Sequence, residues 1–195
     1  MLSLKDSLAV LKRTKALVEG HFILSSGLHS PLYVQCAKLL SYPSKSKNFC
    51  ISLSKKIKKK IKNVDLILSP AVGGIIIGYE MGRLLKKETV FCERVDGKFK
   101  LRRGFSIKPK SNVLILEDVI TTGKSSLECV KLIKNSKAKL RGFACIIDRS
   151  NNQNLKIKNK IVSQIKLNIP TYTKKNLPDI LKKIPVRSPG SRRIK

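Results

Sequence analysis

The sequence predicts an α/β fold: a central, mostly parallel sheet flanked by helices. Three observations carry this expectation. VDLILS (64–69) and NVLILED (112–118) are short, nearly unbroken apolar runs, as suits strands covered on both faces in a parallel sheet. Each is followed by a loop of small residues and then by a helical pattern. The same strand–loop–helix alternation extends through TVFCE (89–93) and KLRGFACIIDR (139–149), the order expected of crossover-connected units.

Taken in order, residues 2–18 place Leu4, Leu8, Leu11 and Leu17 among charges, which reads as an amphipathic helix with Gly20 as its stop. Residues 21–43 read as a short strand, a turn around Ser26-Gly27 and a second strand near Leu32–Cys36. A helical pattern resumes over 45–62, where KKIKKKIK (55–62) spaces Lys and Ile as a surface helix does. VDLILS leads through PAVGG into a helix over 75–86. Residues 94–111 are charged, with two Gly and one Pro, and read as a long connection. After NVLILED, VITTGKSS leads into a helix over 125–135. The last stretch, from Ile169, is rich in Pro and basic residues and too short for a domain of its own. The chain of 195 residues therefore reads as a single domain, 1–195.

Composition narrows the class of protein. The chain has 42 Lys and Arg against 12 Asp and Glu, a formal net charge of +30. A lysine-biased composition accounts for such a surface first, attraction of an anionic substrate second and nucleic acid third, so no specific nucleic-acid partner is expected. Cys36, Cys50, Cys92, Cys129 and Cys145 form no CxxC pair and are odd in number, which points to buried thiols in a reducing compartment. Lys5, Asp6, Lys12 and Arg13 interrupt any secretory apolar run, and no membrane span is evident. A cytoplasmic protein is expected.

The chemistry concentrates in VLILEDVITTGKSS (113–126). A buried strand ends in Glu117 and Asp118, and Val119 and Ile120 lead to Thr121, Thr122, Gly123, Lys124 and Ser125 at the start of a helix. Ligands of open α/β sheets bind at the carboxyl ends of the strands, and helix N-termini bind phosphate. Gly123 lets the backbone approach an anion, while the hydroxyls add donors. Two acids beside a phosphate would repel it unless they face hydroxyls, and a carboxylate accepts hydrogen bonds from vicinal ribose hydroxyls well. The segment therefore reads as a clasp for a sugar phosphate. It is not a Walker A loop, because the first Gly of that motif is missing. Separately, Arg149 ends a strand and suits a carboxylate, held bidentately. The bland alternative is a surface Arg paired with Asp148.

This segment resembles the phosphoribosyl pyrophosphate (PRPP) motif of type I phosphoribosyltransferases. HFILSSGLHSPLYVQ (21–35), SPAVGGIIIGYEMGR (69–83), ERVDGKFKLRRGF (93–105), Asp148-Arg149, IPTY and PGSR further resemble orotate phosphoribosyltransferases, so the similarity spans nearly the whole chain. The chain departs from many members at Ser25 and Gly73, where they carry Lys, and in a mobile loop without K-x-x-x-HG. The resemblance implies that fold, with a small hood from about residues 1–45 plus the C-terminal segment. It implies transfer of a ribosyl phosphate from PRPP to orotate, with magnesium carried by PRPP and no protein metal ligand assigned. On this resemblance Glu117 to Ser125 and Arg94 bind PRPP; Thr121, Arg149 and Tyr33 hold orotate; and Asp118, Lys98 and Arg102 serve catalysis, with Lys100 and Arg103 as further loop cations. A homodimer is implied because the family's mobile loop reaches a neighbouring site. His21 and His29 are expected to be structural. A purine phosphoribosyltransferase, or a PRPP-sensing RNA-binding regulator, is the alternative.

Overall fold

The structure, a computed structural model, describes residues 1–24, 26–150, 157 and 161–189. Among these, the main sheet has six strands in the order β5-β4-β3-β6-β7-β8. They are β3 (Leu66–Pro70), β4 (Glu88–Val95), β5 (Lys98–Leu101), β6 (Asn112–Ile120), β7 (Lys139–Asp148) and β8 (Ile161–Lys166). All neighbours pair in parallel except β4 with β5. Strand β3 is buried throughout, β6 from Val113 to Glu117 and β7 from Gly142 onward, which is why they read as apolar runs rather than as alternation.

Helices cover both faces. On one lie α1 (Leu4–Arg13), α2 (Cys36–Leu40), α3 (Pro43–Lys60) and α4 (Gly73–Leu85), whose apolar sides join Leu114 and Leu116 of β6 in one core. Phe49, Leu53 and Ile57 of α3 fall at helical spacing on its buried side, and Lys58, Lys59 and Lys60 fill its last turn, where cations offset the helix dipole. The other face is covered by α5 (Lys124–Asn135), whose Cys129 and Ile133 join Val113 and Ile115 of β6 in a second core. In α4, Gly78 and Gly82 let the helix lie close to the sheet. An added Cβ at Gly78 would stand 2.5 Å from Ser69 Oγ, and one at Gly82 would strike Thr89.

A smaller three-stranded sheet, in the order β2-β1-β9, forms beside this unit from β1 (Leu17–Ile23), β2 (His29–Val34) and β9 (Val186–Arg187). The C-terminal segment joins it through β9, which follows α6 (Asp179–Lys182) and runs parallel to β1. His21 and His29 are buried there, with His21 Nε2 2.7 Å from His29 Nδ1.

Three sequence expectations need correction. The second strand, expected near Leu32–Cys36, runs over His29–Val34, and Cys36 instead opens α2. The first helix ends at Arg13, not near Gly20. Thr14 closes it by returning its hydroxyl to the Val10 carbonyl, Lys15 turns the chain at φ 54°, and Leu17 to Ile23 then form a strand. Residues 94–111 are not simply a connection either. Asp96 and Gly97, at φ 51° and 74°, make a tight turn between β4 and β5, the Asp-Gly signature of a hairpin. Phe99 points into the α5-side core while Lys98 and Lys100 point to solvent.

The centre of the sheet should dominate stability. Leu114 is fully buried on β6, so Leu114→Ala is expected to lower the unfolding free energy by about 2–5 kcal/mol in urea titration.

Candidate active site

Strand alternation places the two acids. Val113 and Ile115 face the α5-side core, and Leu114 and Leu116 face the α4-side core. Continuing that period sends Glu117 toward α5 and Asp118 toward α4, so the pair diverges across the strand end rather than sharing one face. Glu117 is 8% exposed, and Oε1 accepts a hydrogen bond from the Ser126 hydroxyl on α5. Burial pushes its carboxyl up to about 7, helped by the neighbouring charges of Asp118 and Glu128, while the Ser126 hydroxyl and backbone N–H pull it down. Asp118 is likewise raised by burial, against the Val119 N–H that donates to its Oδ1 at 2.9 Å. Gly73, at the start of α4, backs directly on this carboxylate: an added Cβ there would lie 2.6 Å from Asp118 Oδ2.

Beyond the acids the loop opens to solvent. Thr121, Thr122 and Lys124 are exposed, Ser125 is half-buried, and Gly123 is buried at φ 74°, a conformation that favours glycine. Gly123 caps α5 without a side-chain acceptor, and the first backbone bond of the helix runs from Leu127 N–H to Gly123 O at 2.9 Å. The amides just before Leu127 therefore have no carbonyl of their own helix to bind and point toward the loop, which is the arrangement that binds phosphate. Thr122 Oγ1 accepts from the Lys124 N–H at 3.4 Å. Ile120 is buried in the α5-side core and Val119 packs on the other, so these two residues can offer a ligand only their backbone.

The structure brings Thr121 and Arg149 together. Ile120 and Asp148 are register partners on β6 and β7, and the Arg149 N–H donates to Ile120 O at 2.8 Å, so both residues leave neighbouring strand ends. The alternative for Arg149, an ion pair with Asp148, is not formed among the described residues. Asp148 Oδ1 instead accepts from Ser150 N–H and Oγ–H, at 2.8 and 2.5 Å. Among the described residues Arg149 Nε is buried with no hydrogen-bond partner, and burial holds its pKa below the usual guanidinium value. Cys36, passed over in the sequence, sits between these groups: its thiol donates to Asp118 O at 3.7 Å and lies within electrostatic reach of Arg149. Tyr33 makes its contacts within the smaller sheet, its ring 5.7 Å from that of Phe22 and its hydroxyl accepting from Gln35.

The hairpin cations divide into two sets. Arg94 donates to Glu128 Oε2 at 2.8 Å and to Gly97 O at 2.6 Å, and its guanidinium carbon lies 4.2 Å from the Phe99 ring centroid. Expected at PRPP, it is thus held by α5 in this structure. Arg103 pairs with Glu93 at 2.8 Å, and Lys100 with Asp96 at 3.6 Å. Lys98 and Arg102 are exposed and enter none of the ion pairs among the described residues. Ser25 and the Gly190–Arg192 part of PGSR lie outside the described residues.

Comparison with known proteins agrees with this geometry. The phosphoribosyl transferase domain model matches residues 44–174. Orotate phosphoribosyltransferase from Parvibaculum lavamentivorans is 44% identical over 97% of this chain and 99% of its own length. The protein of that name from Erythrobacter litoralis is 40% identical, covering 96% and 97%. Among solved structures, orotate phosphoribosyltransferase from Aeropyrum pernix superposes with a TM-score of 0.66 over 82% of this chain and 92% of that one, at 21% identity, a likeness of fold. A strand-end acid pair leads into a hydroxyl- and Gly-bearing loop, and the domain match and near-full-length similarity decide the family: the chain belongs to the phosphoribosyltransferases and, within them, to the orotate phosphoribosyltransferases.

Proposed function

We propose that this chain transfers the ribosyl 5-phosphate of PRPP to orotate, giving orotidine 5′-monophosphate and pyrophosphate in pyrimidine biosynthesis. The observation that carries the orotate half is the buried Nε of Arg149, without a partner among the described residues, on a strand end that neighbours the one leading into Thr121; it is a cation suited to a carboxylate. A purine carries no carboxylate for it. Thr121 to Ser125 and the α5 N-terminus hold the 5′-phosphate, while Glu117 and Asp118 face ribose hydroxyls from either side of the strand end.

In the reaction the orotate ring nitrogen bonds to C1′ as pyrophosphate leaves with the electrons of the C1′–O bond. Positive charge grows on the ribose and negative charge on the leaving group. The chain's part is to hold the two reactants in line and stabilise that separation. Lys98 and Arg102, which enter no ion pair among the described residues, are the proposed neutralisers of pyrophosphate, and the hairpin would exclude water as it closes. Arg94 joins them if it exchanges Glu128 for the substrate. Magnesium, carried by the oxygens of PRPP, would supply further neutralisation of the pyrophosphate; the oxygen-only side chains at the strand end, the carboxylates of Glu117 and Asp118 and the hydroxyls of Thr121 and Thr122, suit a hard cation beside them.

We place the protein in the cytoplasm as a homodimer. None of the described helices is long and apolar enough to cross a membrane. Val72, Ile76 and Tyr79 are 82%, 52% and 72% exposed along one side of α4, beside a groove of about 470 Å³ that also borders Leu40 and Pro43. A second copy would cover this apolar side, and Tyr79→Arg is expected to convert dimer to monomer in sedimentation velocity.

The direct test mixes protein, magnesium, PRPP and orotate and follows the loss of orotate's ultraviolet absorbance. Turnover that needs both substrates supports the assignment; turnover with a purine in place of orotate would remove it. Arg149→Ala should raise the orotate KM on the order of 100-fold with little change in the PRPP KM, and Arg149→Lys should recover only part, lacking the bidentate fork. Gly73→Ala should raise the PRPP KM about tenfold, because its methyl group displaces the Asp118 carboxylate. An unchanged PRPP KM would show that Asp118 does not meet the ribose.

A further inference from the structure

Ser126 lies one residue past the loop assigned to phosphate and has no part in the chemistry above. It is completely buried, the third residue of α5. At that position its backbone N–H falls outside the internal ladder of the helix, whose first backbone bond comes from Leu127. Its hydroxyl donates to Glu117 Oε1, and both its hydroxyl and its N–H favour the ionised carboxylate. Because Gly123 offers no side-chain acceptor, Glu117 does for α5 from the neighbouring strand what an N-cap residue does from within the chain.

We propose that Ser126 is a positioning residue for PRPP: it fixes one carboxylate oxygen of Glu117 and leaves the other to accept from the ribose, tying the sugar-binding acid to the phosphate-binding helix. The inference rests on the reading of Glu117 as a ribose acceptor. The link is geometrically direct, since the residues that present amides to the 5′-phosphate and the residue that anchors the acid belong to the same first turn of α5. A shift of that turn would move both recognition elements together.

The surroundings of Glu117 oppose its charge. Asp118 on its own strand and Glu128 on α5 are anions, Cys129 on α5 and Cys145 opposite on β7 are buried thiols, and Arg94 is drawn off to Glu128. None of these groups stabilises the carboxylate, and burial raises its pKa to about 7. Ser126 is thus the neighbour that keeps it an acceptor near neutral pH. Removing the hydroxyl disfavours the ionised form, so the acid limb of PRPP recognition moves to higher pH.

The test measures kcat/KM for PRPP from pH 5.5 to 9 in wild type, Ser126→Ala, Ser126→Thr, Glu117→Gln and the double variant of Glu117→Gln with Ser126→Ala, with direct calorimetric titration of PRPP and magnesium at two pH values. Ser126→Ala is expected to move the acid limb up by about one pH unit and to raise the PRPP KM about tenfold at pH 7, while kcat at saturating PRPP and high pH stays within about twofold. Ser126→Thr, which keeps the hydroxyl, should restore the limb. Adding Ser126→Ala to Glu117→Gln should change neither KM nor the pH profile further. A uniform loss at every pH, or an equal further loss in the Glu117→Gln background, would overturn the proposal. If Ser126→Ala does not fold, Ser126→Cys carries a weaker donor and must show the same limb shift, smaller, or the proposal falls. Wild-type protein that neither binds nor turns over PRPP would instead overturn the underlying reading, an outcome separate from turnover with an unmoved limb.

Discussion

Strand β6 is pressed from both sides, with α4 and its partners on one face and α5 on the other, and the site depends on what happens where that double burial ends. Four successive residues, Val113 to Leu116, are fully buried and alternate between the two cores. The first polar residue after them inherits this geometry. Glu117 must enter the α5 side before the strand has left the core, so it is desolvated and needs a donor, which α5 provides. Asp118 emerges on the α4 side, where the missing side chain of Gly73 leaves room for its carboxylate. Packing and recognition are therefore the same constraint seen at two depths of one strand.

Much of this was legible in the sequence, and what was missed has physical reasons. NVLILED declared itself because a doubly buried strand shows no polar alternation. TTGKS did so as a strand-to-helix junction, since small and hydroxyl residues around a Gly break the apolar run where α5 begins. The divergence of Glu117 and Asp118 follows from the two-residue period, but adjacent acids read most simply as one clasp. The β4–β5 hairpin carried its own signal in Asp96-Gly97; a charge-rich stretch obscured the alternation of Phe99 between Lys98 and Lys100. Cys36 and Ser126 could not be found locally. One reaches the site from 82 residues away, and the other is a serine among serines until its partner is known. Strand β8 and the joining of β9 to the smaller sheet likewise depend on pairing between distant segments.

The charge of +30 takes on a more limited meaning beside the structure. The basic residues of α3 lie largely on its solvent side, where they complete an amphipathic pattern. Around the hairpin, by contrast, acids are few and several are already engaged: Glu93 by Arg103, Glu128 by Arg94, Asp96 by Lys100. Exposed pairs of this kind contribute little stability. Their effect is to sort the cations, holding some to the protein while Lys98 and Arg102 remain available to an anion.

Two groups of the site carry a cost in the free protein, and the sign of each matters. Glu117 has a folded pKa of about 7, above its ordinary 4.5, so the native state binds its proton more tightly than the unfolded chain does. That contribution to stability is fully present below about pH 4.5 and is lost as pH rises through 7; the full shift corresponds to on the order of 3 kcal/mol. Arg149 is lowered, so its buried charge is likewise less comfortable than in water. The fold is thus least favoured with Glu117 ionised and Arg149 charged, the state that the proposed reading of the site calls for. Ligands that satisfy those groups bind the native state alone and return part of the deficit as binding stabilisation. A site built this way keeps its acceptor and its cation only half-satisfied by the protein, and on the proposed reading that residual need is what hydroxyls and a carboxylate of the substrate would meet.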